Sequence, residues 1–120
     1  MWPALSERRA TSLYLTSELG VKGQHDEFHL EKATELGAVL VSQNQQHFAP
    51  LYKRWQAENR AHAGIVLVRQ NDPIGAKIER LDRVARILTP AAAGNQLMYL
   101  AQFETDEKAR SLLVSLTSEP

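Results

Sequence analysis

Two short apolar runs constrain the fold more than any other feature of this chain. The first occupies residues 38–41, directly after Gly37, and the second occupies residues 64–68. Each run is bounded by turn residues, and a fully apolar strand of this kind fits a sheet that is covered on both faces. Segments with helical spacing follow both runs. The alternation of strands and helices implies βαβ crossovers, so we expect an α/β domain with a mainly parallel sheet.

Helical spacing and capping residues predict the elements around these strands. Asp26 is expected to cap a first helix, which ends at Gly37, a residue that readily adopts the left-handed conformation. The next helix presents one apolar face, which is formed by Phe48, Leu51, Tyr52 and Trp55.

Further segments complete the predicted order of elements. A strand is expected at residues 12–16, before the first helix. A long helix enters at Asp72-Pro73 and carries an apolar stripe to Thr89-Pro90, which ends it. Two shorter helices are expected at residues 95–103 and 106–116. Three strands are visible in this pattern, which is few for an independent parallel sheet.

Length and composition indicate one globular domain over residues 1–120, in which residues 1–9 fit the remnant of a first helix and residues 117–120 fit a frayed tail. The 14 basic residues balance the 14 acidic ones, so the net charge does not support binding to RNA or to a membrane surface. The chain has no cysteine, which excludes disulfides and thiolate chemistry. Without a signal-like start or an apolar run of about 18 residues, we expect a cytoplasmic protein that does not enter the membrane.

The turn that follows the first apolar run resembles a known family. Residues 39–48, with the sequence VLVSQNQQHF, and residues 61–68, with the sequence AHAGIVLV, resemble the small bacterial PIN-like proteins. These proteins are related to the PIN nucleases of toxin–antitoxin modules. Asp26-Glu27 matches the short acidic helix start of that family, and residues 95–100 resemble its closing segment. The resemblance covers about residues 5–103.

The resemblance implies a three-layer domain in which carboxylates at the strand ends hold magnesium or manganese for ribonuclease chemistry. On that basis the candidate catalytic residues are Glu27, Asp26 and Asn44. The candidate metal ligands are Asp26, Glu27 and His47. The candidate substrate-binding residues are Ser42 and His62.

Two departures from the family pattern bear on activity. The first strand of the family and its aspartate have no counterpart, and Asn44 and His47 stand where acids are common. Magnesium prefers oxygen ligands, usually carboxylates, whereas an imidazole nitrogen suits manganese, nickel or zinc better. With Asp26 and Glu27 as its only carboxylates, the site is expected to bind magnesium or manganese weakly.

The loss of a strand also has consequences for assembly, because the resemblance implies that this strand is central. Its neighbours would expose their edges, a state that proteins rarely leave open. The neighbouring strands could close up, a second copy could cover them, or a partner chain could insert a strand. Alternatively, the protein begins about 30 residues earlier than the first methionine. We expect a homodimer, and an antitoxin-like protein is a candidate partner.

The acidic residues and the turn also have purely structural explanations. Asp26 and Glu27 fit an N-cap and a first-turn acid that the helix dipole favours. Ser42 and Asn44 fit turn residues whose side chains bond nearby backbone amides. These explanations stay open beside the metal site.

The four histidines carry further alternatives. His25 and His29 are four residues apart, so one helix face could present both to a divalent ion, although Asp26 opens the helix after His25. His47 fits an exposed turn residue. His62 has apolar neighbours and fits an anchor of the loop before the second apolar run, with substrate contact as its alternative.

Basic residues gather on the long third helix, as Lys77, Arg80, Arg83 and Arg86. Glu79 and Asp82 precede two of these arginines by four residues, and such pairs are typical of a solvated helix face. The helix is therefore not expected to be a nucleic-acid interface.

Two hypotheses from different classes follow. In the first, the chain is a non-catalytic, PIN-derived module that binds an antitoxin-like protein or assembles with itself. In the second, it is a divalent-metal-dependent ribonuclease whose altered site combines Asp26 and Glu27 with Asn44 and His47. The missing acid favours the first hypothesis, and the residues leave open whether the chain is an enzyme.

Overall fold

A computed structural model describes residues 12–15, 26–69 and 71–117 of the chain. The strands are β1 (Leu13–Leu15), β2 (Val39–Ser42), β3 (Ile65–Leu67) and β4 (Leu97–Tyr99). The helices are α1 (Asp26–Leu36), α2 (Gln45–Ala57), α3 (Ile74–Ile87), α4 (Pro90–Ala93) and α5 (Asp106–Thr117), and a 3₁₀ helix at Leu100–Phe103 follows β4. The predicted α/β class is therefore confirmed.

The four strands form one sheet in the order β1-β2-β3-β4, and every neighbouring pair is parallel. Leu13 pairs with Val39 at the first junction, so β1 lies directly beside β2 without a gap. The predicted mainly parallel sheet is confirmed.

Helices cover both faces of the sheet, because successive strand residues point to opposite sides. On one face α1 and α2 form a core with the sheet, made of Leu30, Ala33, Leu40, Phe48, Leu51, Trp55, Ile65 and Leu67. On the other face α3, α4 and α5 pack on a second core, which includes Val39, Val41, Val66, Val84, Leu88 and Met98. All four residues of β2 are buried. This double burial explains why residues 38–41 carry no alternating polar side chain.

The connections between successive strands do not all cross the same face of the sheet. The strands advance across the sheet in sequence order, whereas the connecting helices lie on one face before β3 and on the other face after it. A parallel crossover that keeps its direction but changes face also changes hand. The β3–β4 connection therefore has the opposite hand to the first two connections, which is unusual because nearly all parallel crossovers are right-handed.

The predicted helix at residues 95–103 is wrong, and so is the count of three strands. Residues Leu97–Tyr99 form β4, and only Leu100–Phe103 is helical, as a 3₁₀ turn. The backbone N–H of Ile65 donates to the carbonyl of Gln96 at 2.9 Å, and Met98 is 1% exposed in the core. The open edge of β3 supplies hydrogen bonds and burial that outweigh local helix preference, because strand formation depends on its neighbours.

The other element boundaries follow the sequence closely. The first helix begins at Asp26 and ends before Gly37. Gly37 has a φ of 68°, so it ends the helix in the left-handed conformation, as predicted. The third helix begins one residue later than expected, with Pro73 at its N-cap and no side-chain cap. Asp72 does not cap this helix, because its carboxylate accepts a hydrogen bond from Arg80 at 3.4 Å.

Some predictions fall outside the described residues. They are the helix remnant at residues 1–9, the end of the tail at residues 118–120, and His25 as a partner of His29. Among the helices in the described ranges, none is long and apolar enough to cross a membrane.

Candidate functional site

The turn after β2 brings together three of the candidate residues. Ser42 is 2% exposed, and its Oγ accepts a hydrogen bond from the backbone N–H of Asn44 at 3.0 Å. The side-chain Nδ2 of Asn44 lies 2.9 Å from Nδ1 of His47 and donates to it, since an amide nitrogen has no acceptor site. Ser42, Asn44 and His47 therefore form one local hydrogen-bonded group at the carboxyl end of a buried strand.

A cleft of about 730 Å³ lies beside this turn and the first turns of α2. It is lined by Gln43, Asn44, Gln45, Gln46, Ala49 and Pro50. The first turn of α2 contains no acidic residue. The cleft stands where open α/β sheets place their ligands, but its side chains are amides rather than carboxylates.

Glu27, the central acid of the predicted metal site, is fully engaged by other side chains. Its Oε1 forms an ion pair with Arg54. Its Oε2 accepts hydrogen bonds from Arg60 Nη1 at 2.6 Å and from Trp55 Nε1 at 3.0 Å. Hydrogen bonds from Arg54, then Trp55 and Arg60, lower the pKa of the Glu27 carboxyl from 4.5 to about 2. Both carboxylate oxygens therefore hold the end of α2 against α1.

The contacts of Glu27 lie well away from the turn after β2. Arg54 follows His47 by seven residues on the same helix, and this spacing corresponds to roughly 10 Å along the helix axis. The structure therefore brings Ser42, Asn44 and His47 together and engages Glu27 elsewhere. Asp26 begins α1 as predicted, but its side chain lies outside the described part of the chain.

The side chains that the structure describes fit a magnesium or manganese site poorly. Among them, no group of three or more histidines, aspartates and glutamates is placed to hold a metal ion. Magnesium needs oxygen ligands in near-octahedral geometry, usually with one or two carboxylates. The turn after β2 offers a hydroxyl, an amide and an imidazole, and Glu27 is already paired. The predicted metal site stays a prediction.

His62 lies at the opposite, amino end of the sheet, just before β3. It is 6% exposed, and its Nδ1 accepts a hydrogen bond from the backbone N–H of Gly64 at 3.1 Å. Its backbone N–H donates to Asn95 Oδ1 at 2.9 Å, and its carbonyl accepts from the backbone N–H of Asn95 at 2.9 Å. Burial lowers the pKa of the imidazole below 6.5. The predicted loop-anchoring role therefore matches the contacts of this side chain.

A second cleft, of about 240 Å³, lies beside His62. Its lining includes Asn59, Arg60 and Asn95, none of which was a candidate catalytic, metal-binding or substrate-binding residue from the sequence. Asn59 has a φ of 59° and Asn95 has a φ of 63°. Asparagine tolerates this left-handed conformation and often ends helices in it. The sequence signals for this cleft are His62, a candidate substrate-binding residue that lines it, and an asparagine just after a predicted helix.

The guanidinium of Arg60 contacts both an aromatic ring and a carboxylate. Its guanidinium carbon lies 3.8 Å from the centroid of the Trp55 ring, and its Nη2 donates to Glu31 at 3.0 Å. Arg60 therefore joins α1 to the loop after α2, three positions past Ala57, the last residue of that helix.

Arg83 corrects the prediction of a wholly solvated basic face on α3. The predicted pairs with Glu79 and between Asp82 and Arg86 are present, at 3.2 and 2.9 Å. Arg83 itself is buried, donates to Asp106 at 2.6 Å, and reaches the carbonyl of Phe103 at 2.9 Å. Its guanidinium ties α3 to the start of α5. Four acceptors surround this guanidinium, namely Glu79, Asp106 and the carbonyls of Phe103 and Glu104, and helix spacing reveals only the first of them.

Comparisons with known proteins found no match. No family model matches the chain, and neither does a curated protein sequence or a solved structure. The PIN-like resemblance therefore rests on the motifs at residues 39–48 and 61–68 and on the acidic start of α1.

Proposed function

We propose that this chain is a PIN-derived, three-layer module that works by binding or assembly and has no nuclease activity. One observation carries the proposal: the carboxylate of Glu27 is bound by Arg54, Arg60 and Trp55. In a metal-dependent nuclease of this type, that carboxylate would have to face a metal ion and phosphate.

Releasing Glu27 to a metal ion would carry a cost. The side chains of Arg54 and Arg60 are 52% and 36% exposed, so both could turn toward water. Trp55 is 2% exposed, and its indole N–H would lose its acceptor. Leaving a buried donor unpaired costs about 1–3 kcal/mol. Weak binding of magnesium, which gives up its water reluctantly, does not offset that cost easily.

A metal-dependent ribonuclease is the second candidate function. It is favoured by the group formed by Ser42, Asn44 and His47, which stands beside a cleft at the carboxyl end of a buried strand. In that candidate function His47 and Asn44 complete an altered site with Asp26 and Glu27. Manganese is then the expected metal, because it accepts nitrogen ligands more readily than magnesium does.

Calorimetric titration with Mn²⁺ separates the two functions. The full chain is titrated beside Glu27→Ala and a control, Glu31→Ala, which removes an acid one turn further along α1 that accepts a hydrogen bond from Arg60. We expect no saturable heat with any of the three proteins and no manganese-dependent cleavage of single-stranded RNA. If Mn²⁺ binds saturably, if this binding disappears only in Glu27→Ala, and if the chain cleaves RNA, the nuclease is the correct function and the non-catalytic module is wrong.

We favour assembly of the module with itself as the form of binding. An antitoxin-like chain is the alternative partner. Ile74 and Ile78 are 72% and 63% exposed and stand one turn apart on α3, so they offer an apolar strip. Sedimentation equilibrium is expected to give a dimer that Ile78→Ser weakens. Leu36→Ser, at a side chain 65% exposed on α1, is the matched control and is expected to leave the dimer intact. If the chain is a monomer at all concentrations, self-assembly is ruled out and the proposed binding is to a partner chain.

A further inference from the structure

We propose that the cleft beside His62 binds a small, neutral, planar heterocycle through the Nε2–H of that histidine. The cleft lies near the C-terminal end of α2, whereas the turn with Asn44 and His47 lies at the N-terminal end of the same helix. The proposal therefore does not depend on the metal site or on the assembly of the chain.

The imidazole of His62 is held in one orientation and one tautomer. Its Nδ1 accepts the backbone N–H of Gly64, so Nδ1 carries no hydrogen and Nε2 must carry one when the ring is neutral. The backbone of the same residue is tied on both sides to Asn95. Burial favours the neutral ring by lowering the pKa of His62. The cleft is thus lined by a residue with a defined donor.

That donor has no hydrogen-bond partner among the residues that the structure describes. His62 is 6% exposed, and its ring meets the rings of Tyr52 and Trp55 edge to face, with centroids 5.7 and 6.1 Å away. An aromatic face is a weak acceptor compared with an oxygen or a ring nitrogen. Since nearly all buried polar groups find a partner, a lining residue whose N–H has none among the described residues marks a place for an acceptor from a ligand.

The other lining residues define the chemistry of that ligand. Gln56 and Asn59 supply amides that can donate and accept, and Tyr52 supplies an aromatic wall. Among the described residues of the lining, Arg60 alone is charged, and its guanidinium is compensated by Glu27 and Glu31. A compensated cation and an amide lining favour a neutral ligand over an anion.

The size and stiffness of the cleft narrow the choice further. Its volume of about 240 Å³ lies below the roughly 300–1,000 Å³ of sites for drug-sized ligands, so a single heterocycle of nucleobase size fits it better. Asn59 ends α2 in the left-handed conformation, and the next backbone N–H, of Arg60, donates to the carbonyl of Trp55 at 2.8 Å. Because these lining residues are already ordered in the free protein, they lose little conformational entropy when a ligand binds.

The experiment is an NMR titration of the histidine side chains of the full chain, with adenine and uracil as probes and inorganic phosphate as the anionic comparison. We expect saturable shifts of the His62 Nε2 resonance with at least one heterocycle, at a dissociation constant of about 0.1–1 mM for a ligand of this size. The imidazole of His47, in the turn at the other end of α2, is the internal reference and is expected to stay unchanged.

Two glutamines of α2 make a matched pair of variants. Gln56→Ala removes an exposed amide from the cleft and is expected to weaken binding about fivefold, the loss of one hydrogen bond. Gln46→Ala removes an exposed amide outside this cleft and is expected to have no effect. Neither side chain is in the core, so both variants should fold. Shifts with phosphate alone, equal affinities in the two variants, or no shift up to the solubility of both heterocycles would each overturn the proposal.

Discussion

The two ends of α2 differ in how their polar residues are used. At the N-terminal end, Asn44 and His47 bond each other and the turn, and the side chains there lie beside an open cleft. At the C-terminal end, Trp55 and Arg60 bond Glu27 across the helix pair, and His62 is tied to the loop before β4. Of the predicted site residues, Asn44 and His47 therefore lie at the lightly connected end, whereas Glu27 and His62 lie among the dense contacts at the other end. Substitutions should cost far more stability at the C-terminal end.

The largest effect is expected at Gly64, which follows His62 and precedes β3. It has a φ of 121°, and a Cβ added there would lie 2.5 Å from the carbonyl oxygen of Ala93. Gly64→Ala is expected to lower the free energy of unfolding by about 3–4 kcal/mol, because left-handed strain and a backbone clash add together. Urea unfolding measures the loss.

Gly94→Ala is the control for that variant. Gly94 has a φ of −55°, and a Cβ there would meet its nearest atom at an ordinary 3.6 Å. Its cost is expected to stay below about 1 kcal/mol. Equal losses in the two variants would mean that the close approach of Gly64 and Ala93 does not constrain this end of the molecule.

Glu27→Gln tests the ion-pair group at the same end. We expect a loss of about 1–2 kcal/mol at neutral pH, since the pairs with Arg54 and Arg60 are partly exposed and the Trp55 N–H keeps an amide acceptor. The folded carboxyl has a pKa of about 2 against 4.5 when unfolded, so its contribution is present above pH 4.5 and is lost as the pH falls toward 2.

Acid unfolding measures this dependence. The variant should lose less stability than the natural chain over the same range of pH, so the two curves should converge in acid. Parallel curves would show that Glu27 has the same proton affinity in the folded and unfolded chain.

His62 should make stability depend on pH in a second, higher window. Burial lowers its pKa in the folded state below 6.5, so the unfolded chain binds the proton first as the pH falls. Stability contributed by the neutral ring is therefore present above about pH 6.5 and declines as the pH drops below that value. The midpoints of urea unfolding, measured at several pH values, should fall as the pH drops below about 6.5. His62→Gln should remove this dependence of the midpoint on pH. A dependence retained in His62→Gln would assign it to another group.

The smallest effect is expected at the other end of α2. His47 is exposed, and its Nδ1 accepts a hydrogen bond from Asn44 in the adjacent turn. His47→Ala is expected to change the free energy of unfolding by less than about 0.5 kcal/mol. A loss as large as that of Glu27→Gln would remove the contrast between the two ends.

Local pattern was enough to predict most of the elements. Residues 38–41 and 64–68 became buried strands because an apolar run between turn residues satisfies a sheet that is covered on both faces. Gly37 ended α1 as expected, and Phe48, Leu51 and Trp55 became the buried face of α2. These signals depend on neighbours within one or two turns of the chain, which the sequence displays directly.

The candidate site was only partly predictable for the same reason. Ser42, Asn44 and His47 lie within six residues, and the structure groups them. The partners of Glu27 are 27 to 33 residues away in sequence, and no periodicity connects them. The strand at Leu97–Tyr99 was missed because its hydrogen bonds come from β3, not from its own segment.

Apolar runs, helical spacing and capping residues were sufficient to predict an α/β domain with parallel strands and the boundaries of most strands and helices. Contacts between distant elements fix which charges neutralise one another, and they leave the Nε2–H of His62 without a hydrogen-bond partner among the residues that the structure describes. Glu27 became a structural ion-pair partner, and His62 became the wall of a cleft, when α1, α2 and the loop before β4 met. The physical reason is that hydrogen bonds and ion pairs act over about 3 Å between atoms that the fold, and not the order of residues, brings together.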